Sequence, residues 1–167
     1  MTQQKLGSTS GSALRTTTVV QIGIVVKDIE RSAQHYADLF GLPKPKISVT
    51  DEYDMARTAF QGKPTRARAN LAFFNMGQVS LELIEPIGRP STWGRFLDEK
   101  GEGVHHIAFH VLGTDQVVQA LGAQGIQVEQ QGYYTGGMYT YMDSAPQLGV
   151  ILELLEDLGA SSRKAEA

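Results

Sequence analysis

Four side chains recur at matched places along this chain, and together they offer the donor atoms of a metal site. Glu82 lies inside the apolar run 80–84 (SLELI), and Glu153 inside the run 149–155 (GVILELL). Strand side chains alternate between faces. Glu82 therefore shares a face with Ser80 and Ile84, and Glu153 with Ile151 and Leu155. A carboxylate in such a setting is costly unless it is paired, protonated or coordinated. Gln21 and His106 occupy a second repeated position, near the start of two further strand-like runs. Two glutamates, one histidine and one glutamine form an oxygen and nitrogen donor set without sulfur. That set suits one divalent ion, whether Zn, Ni, Co, Mn or Fe, and does not choose among them.

Taken singly, each residue has an ordinary explanation. A strand glutamate most often faces solvent or pairs with arginine, a lone histidine is usually a hydrogen-bonded structural residue, and Gln21 alone says nothing. Repetition changes the reading. Gln21-Ile22-Gly23-Ile24 corresponds to His106-Ile107-Ala108-Phe109, at an offset of 85 residues. Leu81-Glu82-Leu83-Ile84-Glu85 corresponds to Leu152-Glu153-Leu154-Leu155-Glu156, at an offset of 71, the first half carrying the longer loop. Glu85 and Glu156 fall on the opposite face and read as solvated strand ends. By the same alternation His105 points away from His106 and reads as structural. His110 shares the face of His106, where it either lines a pocket or hydrogen-bonds at the sheet's end. His35 falls on an exposed helical face.

The elements that must hold these residues follow one order twice, as a long internal period requires. Residues 17–26 (TTVVQIGIVV) read as a buried strand. Asp28 offers an N-cap to a helix with Ile29, Ala33, Tyr36, Ala37 and Phe40 on one face, ended by Gly41 and Pro43. A short strand at 46–49, a polar loop at 51–66 and a hairpin of 69–75 with 79–86 complete the first unit. A helix at 92–99 leads on. Then come a strand at 104–111, a helix at 115–123, a short strand at 126–129 and a last pair at 138–142 and 149–155. The expected class is α+β: two βαβββ modules forming a cupped mixed sheet with helices on the outer face. The division is a disordered tail at 1–16, module one at 17–86, a linker with a helix at 87–103, module two at 104–156 and a C-terminal tail at 157–167.

The totals narrow the functional classes. At 167 residues, with 41 % hydrophobic and 20 % charged, the chain can bury a core without staples. It has no cysteine, so neither a disulfide nor a thiolate site is possible. A net charge of −3 gives no electrostatic reason to expect nucleic acid or a membrane as partner. No apolar run approaches the ~20 residues of a transmembrane helix, and the first fifteen residues lack the apolar core of a signal peptide. A cytoplasmic location is expected.

QIGIVVKDIERSAQHYADLFGLP resembles the opening strand and helix of the vicinal oxygen chelate superfamily, which includes glyoxalases, bleomycin-resistance proteins and dioxygenases. LELIEPIG and FLDEKGEGVHHIAFHV resemble the methylmalonyl-CoA epimerases in particular, GEGVHHIAF being the most specific segment, and GVILELLE resembles the superfamily's closing strand. The resemblance implies paired modules closing around one metal ion, with Gln21, Glu82, His106 and Glu153 as ligands, and a homodimer. Epimerases usually carry histidine where this chain has Gln21. Glyoxalase I enzymes are similar in having His or Gln there, followed by Glu, His and Glu. The set argues against the dioxygenase branch, whose iron needs two histidines and one carboxylate. Residues 135–147 (TGGMYTYMDSAPQ) depart from the epimerase pattern.

The chemistry so implied is proton transfer beside a metal-bound carbonyl of a small carbonyl or thioester substrate. Glu153 is expected as the principal base and Glu82 as its partner on the other face. The leading expectation is an epimerase of the methylmalonyl-CoA type. Glyoxalase I, a lactoylglutathione lyase, is the enzymatic alternative. A non-catalytic resistance-type binding protein is the other, and the two buried acids count against it. Lys63, Arg66, Arg68, Arg89 and Arg95 offer cations for an anionic group, although solvated surface charge is the more ordinary explanation of each. Tyr133, Tyr134, Tyr139 and Tyr141 either line the pocket or give the second hairpin an apolar surface for a dimer.

Overall fold

The computed structural model describes residues 11–159. Its first half holds β1 (Gln21–Val25), α1 (Ile29–Phe40), β2 (Ser48–Val49), α2 (Tyr53–Ala56), β3 (Ala59–Phe60), β4 (Lys63–Pro64), β5 (Arg68–Asn75) and β6 (Ser80–Ile87). After α3 (Thr92–Lys100) come β7 (Gly103–His110), α4 (Thr114–Gly122), β8 (Val128–Tyr134), β9 (Gly137–Met142), α5 (Ala145–Leu148) and β10 (Ile151–Asp157). All ten strands form one curled mixed sheet in the order β2-β5-β6-β1-β7-β10-β9-β8-β3-β4. The α+β arrangement of two βαβββ units is as the sequence pattern predicts.

The join between the halves carries a local two-fold. β1 and β7 pair antiparallel, with Gln21 opposite Ala108, Ile22 opposite Ile107 and Gly23 opposite His106. The repeat equates Gln21 with His106 and Gly23 with Ala108, so a half-turn exchanges the outer two pairs. The axis therefore passes through Ile22 and Ile107. β6 runs parallel to β1 and sets Glu82 beside Gly23, while β10 runs parallel to β7 and sets Glu153 beside Ala108. Both glutamates thus lie one strand away from the axis, on equivalent positions.

Alternation then sorts the faces. Leu81 and Leu83 pack with Ile29, Ala33 and Ala37 of α1, and Leu152 and Leu154 pack with Val117 and Leu121 of α4. Burying each large aliphatic side chain contributes roughly 1.5–3 kcal/mol. Those contacts turn Glu82 and Glu153 toward the opposite, concave side. α1 begins where expected, with Asp28 Oδ1 accepting from Arg31 N at 2.9 Å, and ends at Gly41 in the left-handed region. Phe40 is exposed and stacks on Tyr36 rather than joining the core.

Several sequence expectations are corrected. β1 is shorter than 17–26; Val20 still bonds both neighbouring strands through its backbone. Residues 51–66 are not a plain loop. They hold α2, β3 and β4, and β3 crosses to pair with β8 of the second half. The strand expected at 126–129 starts at Val128 and runs to Tyr134, making a hairpin with β9. β10 continues through Asp157, into the stretch expected as a C-terminal tail. Within the expected N-terminal tail, Ala13 and Leu14 pack on the second core; residues 1–10 and 160–167 lie outside the described part.

Glu85 and Glu156 are not solvated strand ends. Glu85 accepts from Asn70 Nδ2 at 2.6 Å and from the α1 backbone at Ile29 N, 3.4 Å. Glu156 accepts from Gly113 N at 2.7 Å and Thr114 N at 2.9 Å, capping a helix whose own N-cap, Gly113, has no side chain. Burial alone would raise the Glu156 carboxyl, but the bonds from Thr114 and Gly113 outweigh it and hold it below its ordinary value. The carboxylate therefore stabilises the fold above the ordinary glutamate value of 4.5, and that contribution disappears as pH falls through the lowered folded value. Glu156→Ala should cost about 1 kcal/mol at neutral pH. In urea titrations the difference from the parent should shrink toward zero in acid; a difference that persists unchanged would reject the capping role.

Candidate metal centre

Glu82, His106 and Glu153 come together on the concave face, with one ligand atom from each lying within 4.8 Å of the other two. His106 is fully buried, and Glu82 and Glu153 nearly so. His106 Nε2 stands 3.0 Å from Glu153 Oε2 and 3.4 Å from Glu82 Oε2. Gln21 completes the group, donating from Nε2 to Glu82 Oε2 at 2.6 Å. The four sequence candidates are therefore assembled in one place, as the local two-fold requires.

Two features fit this group to a cation. His106 Nε2 and Glu153 Oε2 are buried without a hydrogen bond, despite their proximity. Buried polar atoms rarely lack a partner, and two such atoms beside the Glu82 carboxylate are suited to a shared positive charge. The second feature is Gly23. A Cβ on Gly23 would stand 1.9 Å from His106 Cε1 and 2.5 Å from Nε2. Glycine is thus what lets the imidazole lie across β1, and the corresponding residue in the second half, Ala108, does carry a Cβ. A glycine inside a β-branched strand often marks such a close approach, so Gly23 is itself a sequence signal of the site.

The electrostatics agree. Burial, more than the charge of Glu153, pushes the Glu82 carboxyl up to about 8, against the opposing pull of His106 and the Gln21 bond. Burial pulls His106 down, but the charges of Glu153 and Glu82 outweigh it, so His106 is raised. Without a bound cation the site therefore holds protons.

His105 is the residue alternation misplaces. The β1–β7 register slips, Gly23 facing His106 but Ile24 facing Val104. His105 is the extra residue of this bulge, and a bulge re-aims a side chain. Its Nδ1 lies 3.1 Å from His106 Nδ1, and its Nε2 lies 2.9 Å from Thr92 Oγ1. Burial, with His106 and Arg95 nearby, holds it well below the ordinary histidine value, so it is neutral.

The site opens into a cavity of about 540 Å³. Gln21, Glu82 and Glu153 lie on its wall, with Phe73, Trp93 and all four tyrosines of β8 and β9. Those tyrosines are cavity lining, which leaves less apolar strand surface for an interface. His110 lines the cavity too, while His35 is exposed on α1. Asp51, Ala56 and Thr58 of the crossing insertion close one side. Among the described residues no lysine or arginine lines it; Arg68 pairs with Glu52, Arg89 with Asp98 and Arg95 with Glu129, and Arg66 lies over Tyr53.

A sheet of this topology around such a group is found in a known family. The model of the Glyoxalase/Bleomycin resistance protein/Dioxygenase superfamily matches residues 20–142, and the chain belongs to that superfamily. Gln21, Glu82 and His106 fall inside the matched stretch and Glu153 beyond it. The chain is 32 % identical over 149 residues to the uncharacterized protein YqjC of Bacillus subtilis (strain 168), covering 87 % of this chain and 96 % of that one. It is 26 % identical over 127 residues to the mitochondrial methylmalonyl-CoA epimerase of Homo sapiens, covering 75 % of this chain but 64 % of that protein. In fold it is similar to the methylmalonyl-CoA epimerase of Mycobacterium tuberculosis, with a TM-score of 0.58, 21 % identity and coverage of 84 % and 88 %. An epimerase solved with methylmalonyl-CoA and NH4+ superposes equally well, at 23 % identity and coverage of 85 % and 95 %. Among the described residues no helix is long and apolar enough to cross a membrane.

Two outcomes follow. Gly23→Ala should leave a folded protein that has lost most of its affinity for zinc or cobalt, because the added methyl displaces the His106 ring; unchanged affinity by chelator competition would mean the ring is not a ligand. Because a cation must displace the proton that Glu82 holds up to about pH 8, affinity should rise with pH through the neutral range, by roughly tenfold per unit for each proton released. It should level off above that value. Calorimetry in buffers of different ionisation heat would count the protons, and none released at neutral pH would contradict the raised Glu82.

Proposed function

We propose that this chain is a divalent-metal-dependent enzyme that moves a proton at the carbon beside a carbonyl, on the pattern of the methylmalonyl-CoA epimerases. The observation that carries this reading is Glu153 Oε2, buried, unbonded and 3.0 Å from His106 Nε2 at the wall of the cavity. Gln21, Glu82, His106 and Glu153 would hold the ion. When bound, it supplies positive charge that polarises a substrate carbonyl and makes the adjacent C–H more acidic.

The two glutamates are symmetric in the backbone but not in their bonds. Glu82 is tied to Gln21 at 2.6 Å, whereas Glu153 Oε2 keeps its lone pairs free. Glu153 is accordingly assigned as the group that takes the proton. Glu82, reaching the site from the other side of the two-fold, is placed to return a proton to the opposite face, which inversion at carbon needs. Trp93 Nε1 donates to Tyr141 Oη at 3.1 Å, fixing the ring that packs on His106.

On this reading the reacting end of a small acid or thioester enters the cavity, and a highly charged nucleotide portion stays at the mouth. One observation favours a second reading. A donor set of Gln, Glu, His and Glu resembles that of glyoxalase I, whose hemithioacetal substrate would undergo the same proton abstraction and then protonation at the neighbouring carbon.

Both reactions exchange the substrate's α-hydrogen with solvent. Metal-loaded protein in D₂O should incorporate deuterium into methylmalonyl-CoA, or into the hydroxyacyl thioester formed from a glutathione hemithioacetal, followed by mass spectrometry. Glu153→Gln, isosteric and assayed at saturating metal, should lose this exchange by about 10²–10⁴-fold. Exchange retained in that variant would reassign the base, and no exchange by the metal-loaded parent with either substrate would remove the enzyme reading in favour of a binding cup.

A further inference from the structure

The bulge that turns His105 inward does more than fill space. The His105 ring is enclosed edge-on by Phe96 and Tyr141, with centroids 5.3 and 5.2 Å away. An apolar side chain would fit that setting as well. What a histidine adds is two nitrogens, and both are engaged: Nδ1 with His106 Nδ1 and Nε2 with Thr92 Oγ1.

The directions of these bonds follow once Nε2 of His106, which faces Glu82 and Glu153, is given to a cation. A neutral imidazole that offers the Nε2 lone pair carries its hydrogen on Nδ1. That hydrogen has one acceptor within reach, His105 Nδ1. His105 must then carry its own hydrogen on Nε2 and donate it to Thr92 Oγ1. Thr92 lines a separate cleft of about 330 Å³ together with Arg95 and Glu129, which form an ion pair, and Lys100 and Asp143 also border it. The chain of bonds thus starts at the cation site and ends at Thr92, on the wall of that cleft.

We propose that His105 is a positioning residue that, held by Thr92, fixes His106 in the tautomer that presents Nε2 to the metal. The inference rests on the metal reading above, and on the bond geometry rather than on any change of charge at His105. Partners of this kind beyond a ligand histidine typically contribute about 10–100-fold to metal affinity.

The test uses the full-length protein, zinc as probe and two substitutions of opposite design. His105→Leu keeps apolar packing against Phe96 and Tyr141 but removes the acceptor. His105→Asn keeps an acceptor oxygen near the place of Nδ1. Zinc affinity by chelator competition should fall by about 10–100-fold in His105→Leu and recover most of that loss in His105→Asn. Thr92→Val should show a smaller loss in the same direction. In ¹⁵N-histidine spectra of the zinc-loaded parent, His106 should carry its hydrogen on Nδ1 and His105 its own on Nε2; a His105 with its hydrogen on Nδ1 overturns the proposal. A folded His105→Leu that binds zinc like the parent overturns it as well. Should His105→Leu fail to fold, Thr92→Val decides, and unchanged affinity in it overturns the proposal too. A parent that binds no zinc would reject the metal reading and this proposal with it, whereas a zinc-binding parent without these effects rejects this proposal alone.

Discussion

Two glutamates and a histidine held within 4.8 Å of one another inside a sheet are an electrostatic liability that the rest of the molecule is arranged around. Two like charges withdrawn from water repel, and each loses hydration. The chain answers with His106 between them, Gln21 on one of them, and a proton retained at Glu82 until a cation arrives. Such a site is easiest to hold where the backbone is least free to move. It lies beside the central β1–β7 pair, with parallel strands on both sides and helix-packed leucines behind.

Symmetry explains the placement, and departures from symmetry explain the division of labour. The two-fold through Ile22 and Ile107 brings Glu82 and Glu153 to equivalent places, and Gln21 and His106 likewise. The halves then diverge at single residues. Gly23 admits the His106 ring where Ala108 stands in the second half. The bulge at His105 gives His106 a neighbour that Gln21 lacks. Even the glutamates three residues on keep a shared duty, each bonding the first turn of its own module's helix. A duplicated framework thus carries a site whose two sides differ chemically.

The insertion between β2 and β5 breaks the symmetry most. It carries β3 across to the edge of the second half, where Ala59 and Phe60 pair with Gln131 and Gln130. In doing so it covers an edge that would otherwise expose unpaired backbone, and it walls one side of the cavity. Cavity shape is consequently set by contacts between distant parts of the chain. The metal-facing chemistry, by contrast, sits on the strands themselves.

The sequence by itself determined the repeat, and with it the fold class and the four candidate side chains that the structure brings together, because a carboxylate inside an apolar strand is conspicuous and its recurrence is more so. It also determined that α1 starts at Asp28 and ends at Gly41, since caps are local chemistry. Only the tertiary structure decided what depends on register between strands far apart in the chain. Alternation along β7 sent His105 away from His106, and a slip against β1 brought it back. Polar residues 51–66 looked like loop because their strands are two residues long and the first of them, β3, takes a partner from the other half. Glu85 and Glu156 looked like solvated ends because the amides they bond belong to helices that fold back over the sheet. Local propensity carries no record of such pairings, which exist only once the two halves have closed on each other.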